Sequence, residues 1–100
     1  MHFLGILRLT QQFQSESAWT EEAYLTRSAH AAYWDYHFGA GVLLHGGRIT
    51  LSLDDPRAHA VMVLSADSLE DAKELVENDP CVQSGIMEGE VLPYKVIWRT

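Results

Sequence analysis

Five histidines are the side chains in this 100-residue sequence best suited to exchange protons near neutral pH. They are His2, His30, His37, His45 and His59. His30 and His37 are seven residues apart, so a helix would place them two turns apart on one side, with Tyr33 and Trp34 between them. This arrangement is compatible with a functional surface. It is equally compatible with a half-exposed helix face on which Trp34 packs against a sheet edge.

The sequence contains no spacing typical of a metal or nucleotide site. His-x-x-x-His, Glu-x-x-His and Cys-x-x-Cys do not occur. Gly39-x-Gly41 and Gly46-Gly47 differ from dinucleotide and phosphate-binding loops and predict turns. The single Cys81 has no basic neighbour that would favour its thiolate, so we interpret it as a small buried apolar residue. We therefore expect no metal and no cofactor.

Asp79 is the acidic residue whose position is hardest to explain by helix stability. It follows a predicted helix C-terminus, where the helix dipole disfavours a carboxylate. It could instead cap a short turn that has Pro80 at its first position and ends at Ser84-Gly85. The residues alone leave both interpretations open.

Hydrophobic periodicity and turn residues predict six elements that must position these side chains. Thr20 would cap the first helix, whose buried face would contain Leu25, Ala29, Ala32 and Tyr36. Asp67 and Glu70 have capping-box spacing at the start of the second helix. The predicted elements are a strand at His2–Thr10, a helix at Ala23–Phe38, a strand at Val42–Leu44 running into Gly46-Gly47, a strand at Ala60–Leu64, a helix from Leu69 to about Asn78, and a strand at Val91–Trp98 with Pro93 at its start or on an edge.

The order of these elements, βαββαβ, predicts an α+β fold of ferredoxin-like type. In this fold two helices cover one face of a four-stranded antiparallel sheet. The opposite face would also present apolar side chains from the first, third and fourth strands. A two-fold dimer with sheets face to face would shield them and form a cavity near the strand ends. We therefore expect a homodimeric α+β barrel.

Composition restricts the classes of partner. The 47% hydrophobic and 21% charged residues are typical of a single globular domain, which we place at residues 1–100. A net charge of −7 without any basic run argues against nucleic acid. No apolar run approaches the length of a membrane span, so we expect no membrane partner. The lone cysteine and the absence of signal-peptide features favour a cytoplasmic location.

Two segments together resemble the YCII-related (YciI-like) family of small dimeric α+β barrel proteins. The C-terminal segment, the more specific one, comprises Ala66–Ala72, Asn78–Ile86 with an Asp-Pro-x-Val-x-x-Gly turn, and Val91–Lys95. The other segment runs from Ala29-His30-Ala31-Ala32-Tyr33 through Gly41–Leu44 to Gly46-Gly47. The resemblance covers most of the chain beyond residue 20.

The resemblance implies an active site built on a histidine and an aspartate, which correspond to His30 and Asp79 here. One branch of the family removes chloride from a hydroxylated aromatic ring. Trp19, Trp34 and Tyr36 would then add aromatic area near a substrate pocket that suits a flat, partly apolar substrate. Trp34 and Tyr33 would contact the substrate, and His45 or Arg48 would bind a substrate oxyanion. The usual Gly-Pro after the second strand is Gly47-Arg48 in this sequence, which indicates a different substrate.

These observations lead to a hypothesis of cofactor-independent acid/base catalysis by His30 and Asp79. The reaction would be of lyase, isomerase or cyclase type on a small cyclic or aromatic substrate. A non-catalytic ligand-binding or accessory dimer of the same family is the alternative from another functional class. A cofactor-free monooxygenase is the enzymatic alternative.

Overall fold

The computed structural model describes residues 1–100 and contains four strands and three α-helices. The strands are β1 (His2–Leu9), β2 (Leu43–Arg48), β3 (His59–Ser65) and β4 (Met87–Tyr94). The helices are α1 (Glu21–Gly39), α2 (Leu69–Glu77) and α3 (Pro80–Gln83), and two short 3-10 turns lie at Gln11–Gln14 and Glu16–Ala18. The predicted order βαββαβ is confirmed, with α3 added between α2 and β4.

The strands form one antiparallel sheet in the order β2-β3-β1-β4. Alternate residues of the two central strands, including Phe3, Leu7, Met62 and Leu64, are buried against the helices. β4 lies on an edge, so Pro93 sits where a missing backbone N–H is tolerated. The α+β, ferredoxin-like prediction is therefore confirmed. The last strand, however, begins four residues earlier than predicted and ends at Tyr94 rather than Trp98.

Helix α1 begins after Thr20, whose side chain accepts a hydrogen bond from the Ala23 backbone N–H as predicted. The predicted buried face is wrong. The structure exposes Leu25 and Tyr36 and buries Ala23 and Trp34 instead. Apolar and aromatic residues occur on all sides of this helix, so periodicity alone does not select one face. The packed face is the one that contains His30, Tyr33 and His37 as half-buried side chains.

The second half of the chain uses two consecutive side-chain caps. Ser68, rather than the predicted Asp67, caps α2 by accepting from the Asp71 backbone N–H. Asp79 caps α3, with Pro80 at the first helical position. Gly85 follows α3 with a φ of +81°, a conformation that glycine adopts without strain. The predicted Asp79-Pro80 cap and Ser84-Gly85 ending are confirmed.

The sheet face away from the helices is apolar at its centre. Leu4 in β1 lies between Val63 of β3 and Leu92 of β4, and Ile6 is next to Val61. Leu92 is exposed, and the other four side chains are half-buried. We refer to Leu4, Ile6, Val61, Val63 and Leu92 as the open sheet face. None of the helices has the length and apolar character needed to span a lipid bilayer.

Candidate active site

His30 and Asp79 are brought into contact although they are 49 residues apart in the sequence. The His30 Nδ1 atom lies 2.8 Å from Oδ1 and 2.7 Å from Oδ2 of Asp79. His30 lies in the middle of α1 and Asp79 directly before α3, so contact between these two helices creates the pair. Asp79 is therefore both a helix cap and the partner of His30.

Asp79 is completely buried and is held by donors on both carboxylate oxygens. The Trp34 indole Nε1–H donates to Oδ2 at 2.8 Å, and the Cys81 backbone N–H donates to Oδ1 at 2.9 Å. His30 Nδ1 faces both oxygens, so three nitrogen atoms surround the carboxylate. Such a network fixes the carboxylate in one orientation.

The second ring nitrogen of His30, Nε2, is free. It has no hydrogen-bond partner in the protein and is not among the buried unpaired polar atoms. The His30 side chain is 15% exposed, so solvent or a ligand reaches the ring at this nitrogen. A carboxylate against Nδ1 favours the tautomer with the proton on Nδ1, which leaves a lone pair on Nε2. The geometry therefore suits proton transfer at Nε2.

His30 lines a cleft of about 700 Å³ between α1 and the sheet. Trp34 and Arg48 also line it, so three of the predicted site residues meet there while Asp79 lies buried behind His30. The remaining wall residues belong to α1 and to the strands of the sheet. They include Arg27, Ala31, Asp35, Leu43, Gly46, Met62 and Met87. Arg27 was missed by sequence reasoning, although it precedes His30 by three residues and so lies on the same side of α1.

Tyr33 lies outside this cleft. Its hydroxyl donates to the Leu75 carbonyl oxygen at 2.5 Å, and its ring meets the edge of Trp34 at 5.0 Å between centroids. Burial, with the Asp79 charge as a smaller cause, raises the pKa of Tyr33. In the structure Tyr33 connects α1 to α2 and packs against the Trp34 ring.

His45 also lies outside the cleft because β2 is irregular. The pairing of β2 with β3 shifts between Leu43 and His45, so these residues do not share a face as strict alternation would require. His45 pairs with Val63 of the open sheet face and lines a separate hollow with Tyr94 and Trp98. The shift has the opposite effect on Arg48, which it places on the cleft side.

Cys81 lies next to the His30–Asp79 pair, but its thiol is not activated as a nucleophile. Its side chain is fully buried, and burial together with the Asp79 charge raises the pKa of the thiol to about 11. This confirms its interpretation as a small buried apolar residue. The donor atoms of Cys81, His30 and Asp79 lie within 4.8 Å of one another, which is close enough to surround a metal ion. A metal ion there would have to displace the Trp34 and Cys81 N–H donors that hold the Asp79 oxygens.

The chain belongs to the YCII-related domain family, whose model matches residues 1–95. A similar solved structure is that of 5-chloro-2-hydroxyhydroquinone dehydrochlorinase (TftG) from Burkholderia phenoliruptrix AC1100, in complex with 2,5-dihydroxybenzoquinone. The two chains are 20% identical with a TM-score of 0.68, and the match covers 95% of this chain and 94% of the other. This likeness confirms the fold. No curated protein sequence matches the chain.

Proposed function

We propose that this protein is a cofactor-independent enzyme in which His30 transfers a proton to or from a small cyclic or aromatic substrate. The observation that supports this most directly is a buried carboxylate, fixed by two N–H donors, behind a histidine that lines a cleft and whose other nitrogen has no partner in the protein. Nε2 would remove a proton from a substrate O–H or C–H and return it in a later step. The charge of Asp79 would stabilise the imidazolium formed between these steps.

The substrate class follows from the cleft and from the family. Trp34, Leu43, Met62 and Met87 give the cleft apolar and aromatic walls that suit a flat ring. The structurally similar TftG is named as a dehydrochlorinase of a chlorinated hydroxyhydroquinone. Elimination, isomerisation and cyclisation of such rings all require proton movement and no net electron transfer. Lyase, isomerase or cyclase chemistry therefore fits a site built on one histidine and one carboxylate.

Turnover of a substrate panel tests this proposal. Chlorinated hydroquinones, phenols and lactones would be incubated with the protein in D2O, with product formation and deuterium uptake followed by NMR. We expect His30→Ala to lower the rate on any accepted substrate by about 10² to 10⁴, the usual contribution of a positioned proton-transfer group. His37→Ala is the matched control, because it removes an imidazole from the same helix outside the cleft. Wild-type turnover by His30→Ala would refute the proposal.

The same panel separates catalysis from the non-catalytic alternative. A ligand-binding or accessory protein would shift its NMR signals on addition of a compound and leave that compound unchanged. A cofactor-free monooxygenase would instead consume oxygen in proportion to product. Product formation that is independent of oxygen and dependent on His30 supports the acid/base enzyme.

We also propose that the protein is a homodimer in which the open sheet faces of two copies meet. Leu4, Ile6, Val61, Val63 and Leu92 present a contiguous apolar surface that the chain's own helices do not cover. A second copy would cover it with an identical surface by two-fold symmetry. We expect a dimer mass in light scattering and a monomer for Val63→Glu. A wild-type monomer at micromolar concentration would contradict this assembly.

A further inference from the structure

Two arginines from different elements line the cleft that contains His30. Arg27 lies one helical turn before His30 on α1, and Arg48 ends β2 across the cleft. Both also line an adjoining cavity of about 310 Å³, which continues toward Leu51 and Leu53. The two cavities therefore adjoin at Arg27 and Arg48, together with Ala60 and Met87.

Neither arginine is paired within the protein. Arg8 and Arg57 form ion pairs with Glu90 and Asp55, whereas no carboxylate lies within 4.0 Å of Arg27 or Arg48. No side-chain hydrogen bond engages either guanidinium. The N–H donors of both guanidinium groups are therefore available to a ligand.

The acidic groups of the cleft do not compensate these charges. Asp79 is buried and faces His30, Trp34 and the Cys81 N–H. Asp35 lies eight residues after Arg27 on α1, which is about 12 Å along the helix axis. The cleft therefore contains two arginine charges that no acidic side chain pairs.

Arg27 is also held in place. Its guanidinium carbon lies 5.6 Å from the centre of the Trp19 ring and 5.2 Å from that of Tyr24. Stacking on aromatic faces orients the planar group and leaves its N–H edges available for an oxyanion. Arginine presents this edge in a geometry that matches carboxylate and phosphate oxygens.

We propose that Arg27 and Arg48 form an anion subsite, and that the substrate has a carboxylate or phosphate group in addition to the part that meets His30. This inference rests on the proposed function of the His30 cleft and makes its substrate class more specific. The anionic group would lie between the two guanidinium groups, within the same cleft as the His30 ring. The apolar cavity beyond them, with Leu7, Ile49 and Leu51 in its walls, would accept a hydrocarbon portion.

Binding of simple aromatic probes tests the subsite without any turnover. Benzoate, phenyl phosphate and neutral benzyl alcohol would each be titrated into the ¹⁵N-labelled full chain, with the Trp34 indole N–H as the reporter. We expect the two anions to bind more tightly than the alcohol and to weaken with added salt. The tighter of the two anions identifies the group as carboxylate or phosphate.

Arginine variants complete the test. Arg27→Gln and Arg48→Gln should each weaken anion binding by about ten- to a hundredfold, the effect of losing a hydrogen bond to a charged group. Arg57→Gln is the matched control, since it removes the same charge from an arginine already paired with Asp55. Equal binding of benzyl alcohol, unchanged affinity in both cleft variants, an equal loss in Arg57→Gln, or no anion binding at millimolar concentration would each overturn the subsite.

His30→Gln should leave the contribution of the two arginines to anion binding intact. Anion binding that depends on Arg27 and Arg48 would therefore support the subsite even if His30 variants kept full turnover. Conversely, His30-dependent turnover of neutral substrates by a protein without anion selectivity would support the enzyme and refute the subsite.

Discussion

Replacing Asp79 by asparagine removes a charge while keeping the size of the side chain, and its effect follows from the hydrogen bonds of the site. Each carboxylate oxygen accepts one N–H from the protein besides the contact with His30. An asparagine has one oxygen and one NH2 group. Whichever way the amide is turned, its NH2 group faces the N–H of either Trp34 or Cys81.

One buried N–H donor is therefore left without an acceptor in Asp79→Asn. The expected cost is about 1 to 3 kcal/mol of the free energy of unfolding. For a chain of 100 residues this corresponds to a decrease in Tm of roughly 4 to 8 °C per kcal/mol. Catalysis should fall further, because the amide neither stabilises the imidazolium nor holds the proton on Nδ1.

Urea unfolding and turnover assays measure the two effects separately. Asp67→Asn is the matched control, since this exposed aspartate lies outside the cleft and makes no side-chain hydrogen bond. Its stability should stay within about 0.5 kcal/mol of wild type. Wild-type stability in Asp79→Asn would contradict the hydrogen-bond geometry, and wild-type turnover would contradict the role of Asp79.

Three further predictions concern neighbouring features. Trp34→Phe removes the indole donor to the buried Asp79 carboxylate and should lower the free energy of unfolding in urea by about 1.5 to 3 kcal/mol. Trp98→Phe, on the exposed terminus, is the control and should leave the free energy of unfolding unchanged. Equal effects of the two substitutions would contradict the role of the indole. Burial raises the pKa of the Cys81 thiol to about 11, so the contribution of the neutral thiol to stability is complete below pH 9 and falls as pH rises toward 11. Cys81→Ala should therefore flatten the plot of unfolding free energy against pH in this range. An unchanged slope would contradict the burial of a neutral thiol. Gly89→Ala would push a methyl group into Val76 of α2 and should destabilise the protein by about 1 to 3 kcal/mol in thermal unfolding. Gly47→Ala is the control, because the space around Gly47 is open and stability should not change. Unchanged stability in Gly89→Ala would contradict the close packing of α2 on β4.

The order of the elements was predictable from the alternation of buried residues in the strands and from the glycines and proline at the helix ends. β1 alternates buried and half-buried residues, and Gly39, Gly41 and Pro80 mark the ends of the helices. The orientation of α1 was not predictable. Its apolar and aromatic residues surround the helix, and only contact with the sheet selects the face with Trp34.

Some features of the candidate site were likewise predictable and others were not. The pairing of His30 with Asp79 followed from resemblance to a family, since residues 49 apart give no local signal of contact. The positions of His45 and Arg48 depended on the irregular pairing of β2 with β3. No residue of β2 indicates this irregularity in the sequence. Tyr33 lies next to Trp34 in the sequence, yet its hydroxyl bonds to α2 rather than facing the cleft. The sequence therefore predicted the contact between His30 and Asp79 better than it predicted the residues that line the cleft.

In the proposed active site, Asp79 orients His30 with a proton on Nδ1 and a free lone pair on Nε2. Long-range ¹H–¹⁵N correlation spectra report directly which nitrogen of a neutral imidazole carries the proton. We expect the Nδ1–H form for His30 in the wild type and loss of this preference in Asp79→Asn, with the exposed His45 unchanged. A wild-type His30 that carries its proton on Nε2 would contradict the account.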